Sequence, residues 1–310
     1  MISSYRPIRF VMALALTLAL GCGNYSNEDL DFQLSLPEPS DVEVNLPQAV
    51  ILADAAEYYV KTREAVATFN GLVVKTLALI DYVRANPPTA RDQNHRVWGP
   101  FPSDTHPDWQ VRVVMDKEAV PDDPDGLRIS YAVQTSPMAQ STFTTLLSGF
   151  FQRSIFTPGS LGHMEWHVRE SRASAYPVDA DGMADLDGIT VDYNNTGFPR
   201  TVHLTILNRD LSETRGGTYD YQELADGSGA MTFDWQSAAA DLSGKMVSRW
   251  QGAGAGRSDV LVTLGNLTWI HGTDCWGPDT LATYIFRRDE TPQERLAGAT
   301  KAACLFTDPI

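Results

Sequence analysis

From about residue 94 onward, apolar residues recur at every second position, and few folds satisfy that period. Trp109, Val111, Val113 and Met115 alternate with Gln110 and Arg112. Ile129, Tyr131 and Val133 alternate with Ser130 and Gln134, and Met164, Trp166 and Val168 oppose His163, Glu165 and His167. The same rhythm recurs at Ile189, Val191 and Tyr193, at Val202, Leu204 and Ile206, and at Met231, Phe233 and Trp235. Side chains on a strand point to opposite faces in turn, so this pattern predicts antiparallel strands with one buried and one wet face. Asp187-Gly188, Gly216-Gly217 and Asp226-Gly227 supply turns between them. The expectation is a mainly β fold over residues 89–310, an antiparallel meander forming a curved sheet or partly open barrel. A membrane-spanning barrel also alternates, but its outward residues are apolar between aromatic girdles. Here the wet-face positions are mixed and often charged.

Before the strands, residues 46–88 carry the only long helical signal. Pro47 suits a first helical position. Ala55, Tyr58, Tyr59 and Thr62, then Leu72, Val73, Thr76, Leu77, Ile80 and Val83, fall at helical spacing. Asn70-Gly71 predicts a break between the two stripes, and Asn86-Pro87-Pro88 ends the element. The polar face holds few basic residues, which favours packing on the sheet over binding a membrane.

Residues 22–45 include Glu28, Asp29, Asp31, Glu38, Asp41 and Glu43 without Lys or Arg. They read as an acidic, extended tether. Residues 1–21 read as a signal peptide: Arg6 and Arg9 precede an apolar run from Phe10 to Leu20, roughly half the 20 or so residues that a spanning helix needs. Leu18-Ala19-Leu20-Gly21-Cys22 resembles the lipobox of bacterial lipoproteins, with Ala19 where leucine is usual. The resemblance covers the first 22 residues. It implies cleavage before Cys22, a covalent lipid (palmitate among its acyl groups) on that cysteine, and a membrane-anchored life in the bacterial cell envelope. Gly23 after the cysteine favours the outer membrane over the inner.

Three cysteines occur. With Cys22 acylated, Cys275 and Cys304 form an even pair in an oxidising compartment, and a disulfide bond between them is expected over two buried thiols. The 310-residue chain has 24 Lys+Arg and 39 Asp+Glu. A leader holding two arginines and no acid leaves 22 against 39, a net charge of −17. Such a chain lacks the clustered cations that nucleic acid or anionic headgroups require.

Two constellations could hold a metal. His163, Glu165 and His167 project from one strand face, an imidazole and carboxylate set suited to zinc or iron if the strand curves; otherwise they are solvated polar residues. Asp181, Asp185 and Asp187 with Gly182 and Gly188 are similar to a calcium loop, but the twelve-residue frame fails, and turn geometry alone accounts for Asp and Gly there. No Gly-x-Ser-x-Gly elbow and no Gly-rich phosphate loop is present, so no catalytic residue is assigned. The sequence therefore predicts a lipid-anchored envelope protein, a non-enzymatic binding or structural module. Its alternative is a carrier of hydrophobic ligands or lipids in a half-open barrel, which requires an apolar pocket of several hundred Å3 between helix and sheet.

Overall fold

The alternating segments pair in chain order. A computed structural model describes residues 27–34, 36–47, 55–120, 123–154, 159–209, 216–237, 241–288, 295–298, 301 and 304–307; Cys22 and the leader lie outside them. The strands are β1 (Ala90–Arg91), β2 (His95–Pro102), β3 (Trp109–Val120), β4 (Asp123–Pro137), β5 (Thr144–Ser154), β6 (Leu161–Trp166), β7 (Leu186–Asn194), β8 (Arg200–Asn208), β9 (Gly216–Glu223), β10 (Gly229–Ser237), β11 (Leu242–Trp250), β12 (Gly256–Leu264), β13 (Leu267–Trp276), β14 (Ala282–Arg288) and β15 (Arg295–Gly298). They form one 15-stranded antiparallel meander in which each strand pairs only with its chain neighbours. The curved sheet therefore stays open, with β1 and β15 at its edges. The alternation places the faces as predicted: Met115, Ile129, Val133, Met164, Val191, Leu204 and Met231 are buried on the inner face.

Helices are few: α1 (Asn27–Leu34), α2 (Pro39–Val42), α3 (Glu57–Ala85) and α4 (Val168–Ala173), with a π-helical turn at Asp179–Met183. No helix among the described residues is long and apolar enough to cross a membrane. Helix α3 lies across the strands on the inner face. Its Tyr58 amide donates to Asp274 of β13 (2.8 Å), and Thr62 bonds Ser248 of β11 (2.7 Å) and Ser258 of β12 (3.2 Å). Further along, Phe69 stacks on Tyr219 of β9 (5.4 Å), Thr76 accepts from Trp166 Nε1 of β6 (3.0 Å), and Asn86 O accepts from Trp98 Nε1 of β2 (2.8 Å). The seam is Val66, Phe69, Val73, Leu77, Ile80 and Val83, all buried. Each such side chain contributes about 1.5–3 kcal/mol of gross burial energy.

That seam explains why the break expected at Asn70-Gly71 is not there. Helix α3 runs through both residues. A helical glycine costs about 1 kcal/mol relative to alanine, well below what the continuous seam contributes. The Asn70 amide turns outward instead, accepting from Val44 N (2.9 Å) and donating to Val44 O (3.1 Å).

The acidic stretch 22–45 also differs from expectation. Its described part, residues 27–34 and 36–45, packs on the domain rather than standing off it. Phe32, Leu36, Val42 and Val44 are buried in the core. Asp29 is 0% exposed and bonds Arg96 (2.7 Å) and Arg91 (3.1 Å), while Asp31 meets Lys117 (2.9 Å). Cations distant in sequence neutralise Glu28, Asp29 and Asp31, and four apolar residues of the stretch supply the burial.

At the other terminus, Cys275 and Cys304 form the expected disulfide, with Cα atoms 5.6 Å apart. The tail so tied covers the outer face of β12 and β13, where the Arg257 guanidinium grips Asp259 (2.6 and 2.7 Å) and donates to Phe306 O (2.8 Å). The last strand among the described residues is β15 at 295–298.

Candidate functional site

Helix α3 has two flanks above the sheet, and the chain treats them differently. One is sealed by the N-terminal segment: Gln33 Nε2 donates to Val83 O (3.2 Å), and Arg84 donates to the carbonyls of Leu36 (3.1 Å) and Pro37 (2.8 Å). The other flank borders an open groove of about 660 Å3. Its helix wall is built from small or apolar residues, Ala65, Ala67, Thr68, Gly71 and Leu72. Its floor is Leu186 and Ile189 of β7, Leu204 and Ile206 of β8, Tyr219 of β9 and Phe233 of β10.

The sequence builds this groove by two means. Inner-face positions of β7–β10 are apolar beyond the width that one helix covers. The helix flank above them is trimmed to Ala and Gly, and a Cβ added at Gly71 would meet no atom within 4 Å. The polar atoms at the groove are already engaged. Thr68 Oγ1 donates to Glu64 O (2.9 Å), and the Tyr219 hydroxyl is directed at Met231 Sδ. Burial, with a smaller contribution from Tyr221, pushes the Tyr219 phenol well above the ordinary tyrosine range, so it stays neutral. Among the described residues that line the groove no side chain is charged, and its two hydroxyls are those of Thr68 and Tyr219.

Where α3 begins, the inner face turns polar. Ser248, Ser258 and Thr62 form a buried hydroxyl cluster, with Ser248 and Ser258 2.6 Å apart. Helix α3 has no side-chain cap of its own, because its N-cap residue is Ala56. Asp274, 0% exposed, caps it from β13 by accepting the Tyr58 N–H and also binds Arg287 Nη1. The Arg287 guanidinium lies 3.8 Å from the Tyr58 ring centroid. Burial works against its charge, but the hydrogen bond and charge of Asp274 outweigh that and hold its pKa above the ordinary arginine value. This cluster seats the helix on the sheet.

Several residues singled out in the sequence take other partners. His163 and Glu165 share the wet face of β6. His163 Nδ1 lies 2.7 Å from Asp192 Oδ1 on β7. His167 falls beyond the strand end, 2.7 Å from Ser148 Oγ and 3.7 Å from Glu165. His203 pairs with Asp220 (2.6 Å) on the same outer face. Register sets these residues in one row, His163–Asp192–His203–Asp220, across β6 to β9. Asp187 is held by Arg169 (2.7 Å) and Arg172 (3.3 Å), Asp185 is exposed, and the Asp181 side chain lies outside the described residues. Among the described residues, no three His, Cys, Asp or Glu side chains converge as a metal site. Within the row, the side chains pair off as His163 with Asp192 and His203 with Asp220.

An apolar pocket between helix and sheet was what the carrier alternative required, but its lining residues were not legible, because the groove is made by what the helix flank lacks. Comparison with known protein families, with curated proteins and with solved structures returns no match to this chain.

Proposed function

We propose that this chain is a lipid-anchored protein of the bacterial envelope that holds an apolar chain, such as the acyl tail of a lipid, in the groove beside α3. The observation that carries this reading is the groove itself: about 660 Å3, walled by apolar side chains and flanked by a helix trimmed to Ala and Gly. That volume lies inside the range of about 300–1,000 Å3 typical of small-molecule sites. Each methylene moved there from water gains about 0.8 kcal/mol, so roughly ten of them offset the cost of ordering a flexible ligand. The N-terminal pattern of Arg6, Arg9, the Phe10–Leu20 run and Cys22 supports the anchor, and Gly23 supports the outer membrane. Absence of a reactive group at the groove favours binding over catalysis.

Titration with a fluorescent fatty acid tests the reading. Wild-type protein is expected to bind it saturably. Gly71→Trp points an indole into space that no atom occupies, and is expected to weaken binding at least tenfold without lowering the melting temperature. Leu264→Trp, at an exposed leucine away from the groove, serves as control. Binding that does not saturate, or equal affinity in wild type and Gly71→Trp, overturns the assignment.

A further inference from the structure

The groove floor runs from the Leu186 end of β7 to the middle row of the sheet, where Asp29 at the start of α1 also reaches Arg96, whereas the rim that holds Leu30 and Leu34 lies at the other end of the strands. On β7, Leu186 borders the groove, whereas Asn195, just past the far end, donates to Asp41 (3.0 Å). The eight residue steps from Leu186 to Asn194 span about 26 Å. At that far end Arg153 of β5 also donates to Leu34 O of α1 (3.2 Å). Helix α1 is two-faced: Phe32 and Asp29 point inward and are buried, while Leu30 and Leu34, one turn apart, are 42% and 66% exposed. The basic side chains Arg84 and Arg153 share the same rim with Leu30, Leu34, Glu38 and Asp41.

Five residue steps separate Cys22 from Asn27, the first residue of α1, and covalent geometry limits that reach to about 18 Å. The headgroup layer on one side of a bilayer accounts for about 5–8 Å of it. An acylated Cys22 therefore holds Asn27, the first residue of α1, within roughly 10–13 Å of the headgroup surface, with Leu30 and Leu34 about 4.5 and 10.5 Å further along the helix. A helix lying along the surface from that point brings its two exposed leucines to the interface, where they gain by entering it. Acids and cations share the rim, so the surface suited to it is a zwitterionic bilayer.

We infer that α1 rests on the bilayer beside its own anchor through Leu30 and Leu34, and that the groove consequently opens on the side of the domain turned away from that membrane. This orientation rests on the lipid-anchor reading of Cys22. With it, the groove exchanges its ligand with whatever faces the anchored domain, rather than with the leaflet beneath.

The test uses the full acylated chain in phosphatidylcholine vesicles carrying a nitroxide on the headgroup. An environment-sensitive fluorophore is placed on Leu34→Cys in one preparation and on Leu264→Cys in another. Leu264 is exposed and sits on β12 at the groove end of the sheet. Quenching at position 34 is expected to exceed that at position 264 by at least threefold. In the Leu30→Glu variant the excess is expected to shrink while the protein still floats with the vesicles. Equal quenching at the two positions in protein that floats overturns the orientation and leaves the anchor intact. Flotation that persists in Cys22→Ala, or is missing in wild type, overturns the anchor and the orientation with it.

Discussion

Removing the Asp274 carboxylate isolates the contact that joins helix to sheet. In Asp274→Ala, helix α3 loses the acceptor of its Tyr58 N–H, and Arg287 loses its buried counterion. Loss of a helix cap costs about 0.5–2 kcal/mol. Leaving one member of a buried ion pair costs about 3–5 kcal/mol. The two do not add, because Arg287 keeps the carbonyls of Phe286 (3.0 Å) and Thr273 (3.2 Å) and has Glu57 3.5 Å away. The lower end, about 3–4 kcal/mol, is therefore expected, a large share of the roughly 5–15 kcal/mol that holds a domain folded. Asp274→Asn keeps an oxygen for the Tyr58 amide and loses only the charge, so it is expected to cost less than Asp274→Ala. Urea unfolding followed by tryptophan fluorescence without reductant measures both. Asp274→Ala combined with Arg287→Met is expected to cost less than the two single changes summed. A cost below about 1 kcal/mol for Asp274→Ala with an unchanged denaturant slope refutes the reasoning, because neither cap nor ion pair then holds the helix.

Cys275→Ser opens a loop closed over 29 positions and is expected to cost about 3–4 kcal/mol in the chain-entropy model; full reduction of wild type should shift the urea midpoint equally. Gly71→Ala, unlike Gly71→Trp, adds only a methyl group where space is open, and is expected to stabilise by about 0.5–1 kcal/mol in thermal melts while fatty-acid binding persists. Burial raises the phenol pKa of Tyr131, Tyr193, Tyr219 and Tyr221 above the ordinary 10.0. Above about pH 10 the unfolded chain releases phenolic protons that the folded chain retains, so stability is fully present below that pH and falls as pH rises further. A urea midpoint no lower at about pH 11 than at about pH 9 contradicts this.

How far the sequence could be read depended on which face each residue met. Strands β3, β4, β6, β7, β8 and β10 were legible because one face is buried and apolar, so Met115, Tyr131, Met164 and Leu204 alternate cleanly with polar neighbours. Strands β11 to β13 were not. Their inner face carries Ser248, Ser258 and Asp274 to match Thr62 and the start of α3, and the tail buries Arg257 and Asp259 on the outer face. The acidic stretch misled because charge alone suggested repulsion, while the cations that answer it, Arg91, Arg96 and Lys117, come from β1 to β3. Asn70-Gly71 has the local chemistry of a turn, and a continuous buried seam overrode it. His163 was correctly placed on a wet face, whereas His167 falls beyond the strand end, and the register that gave His163 its aspartate partner depends on pairings that no single strand specifies.

Helix α3 forms early in the chain, yet its first turn is capped by a residue 216 positions later, and its hydroxyl partners on β11 and β12 lie 186 and 196 positions away. Contacts of such separation make folding slow, because loop closure precedes any return from them. A chain that emerges N-terminus first exposes the seam from Val66 to Val83 until the strands that cover it, β13 last, have followed. A chain truncated before Asp274 therefore lacks the residue that caps α3, and is expected to be a poorly folded fragment rather than a smaller working domain.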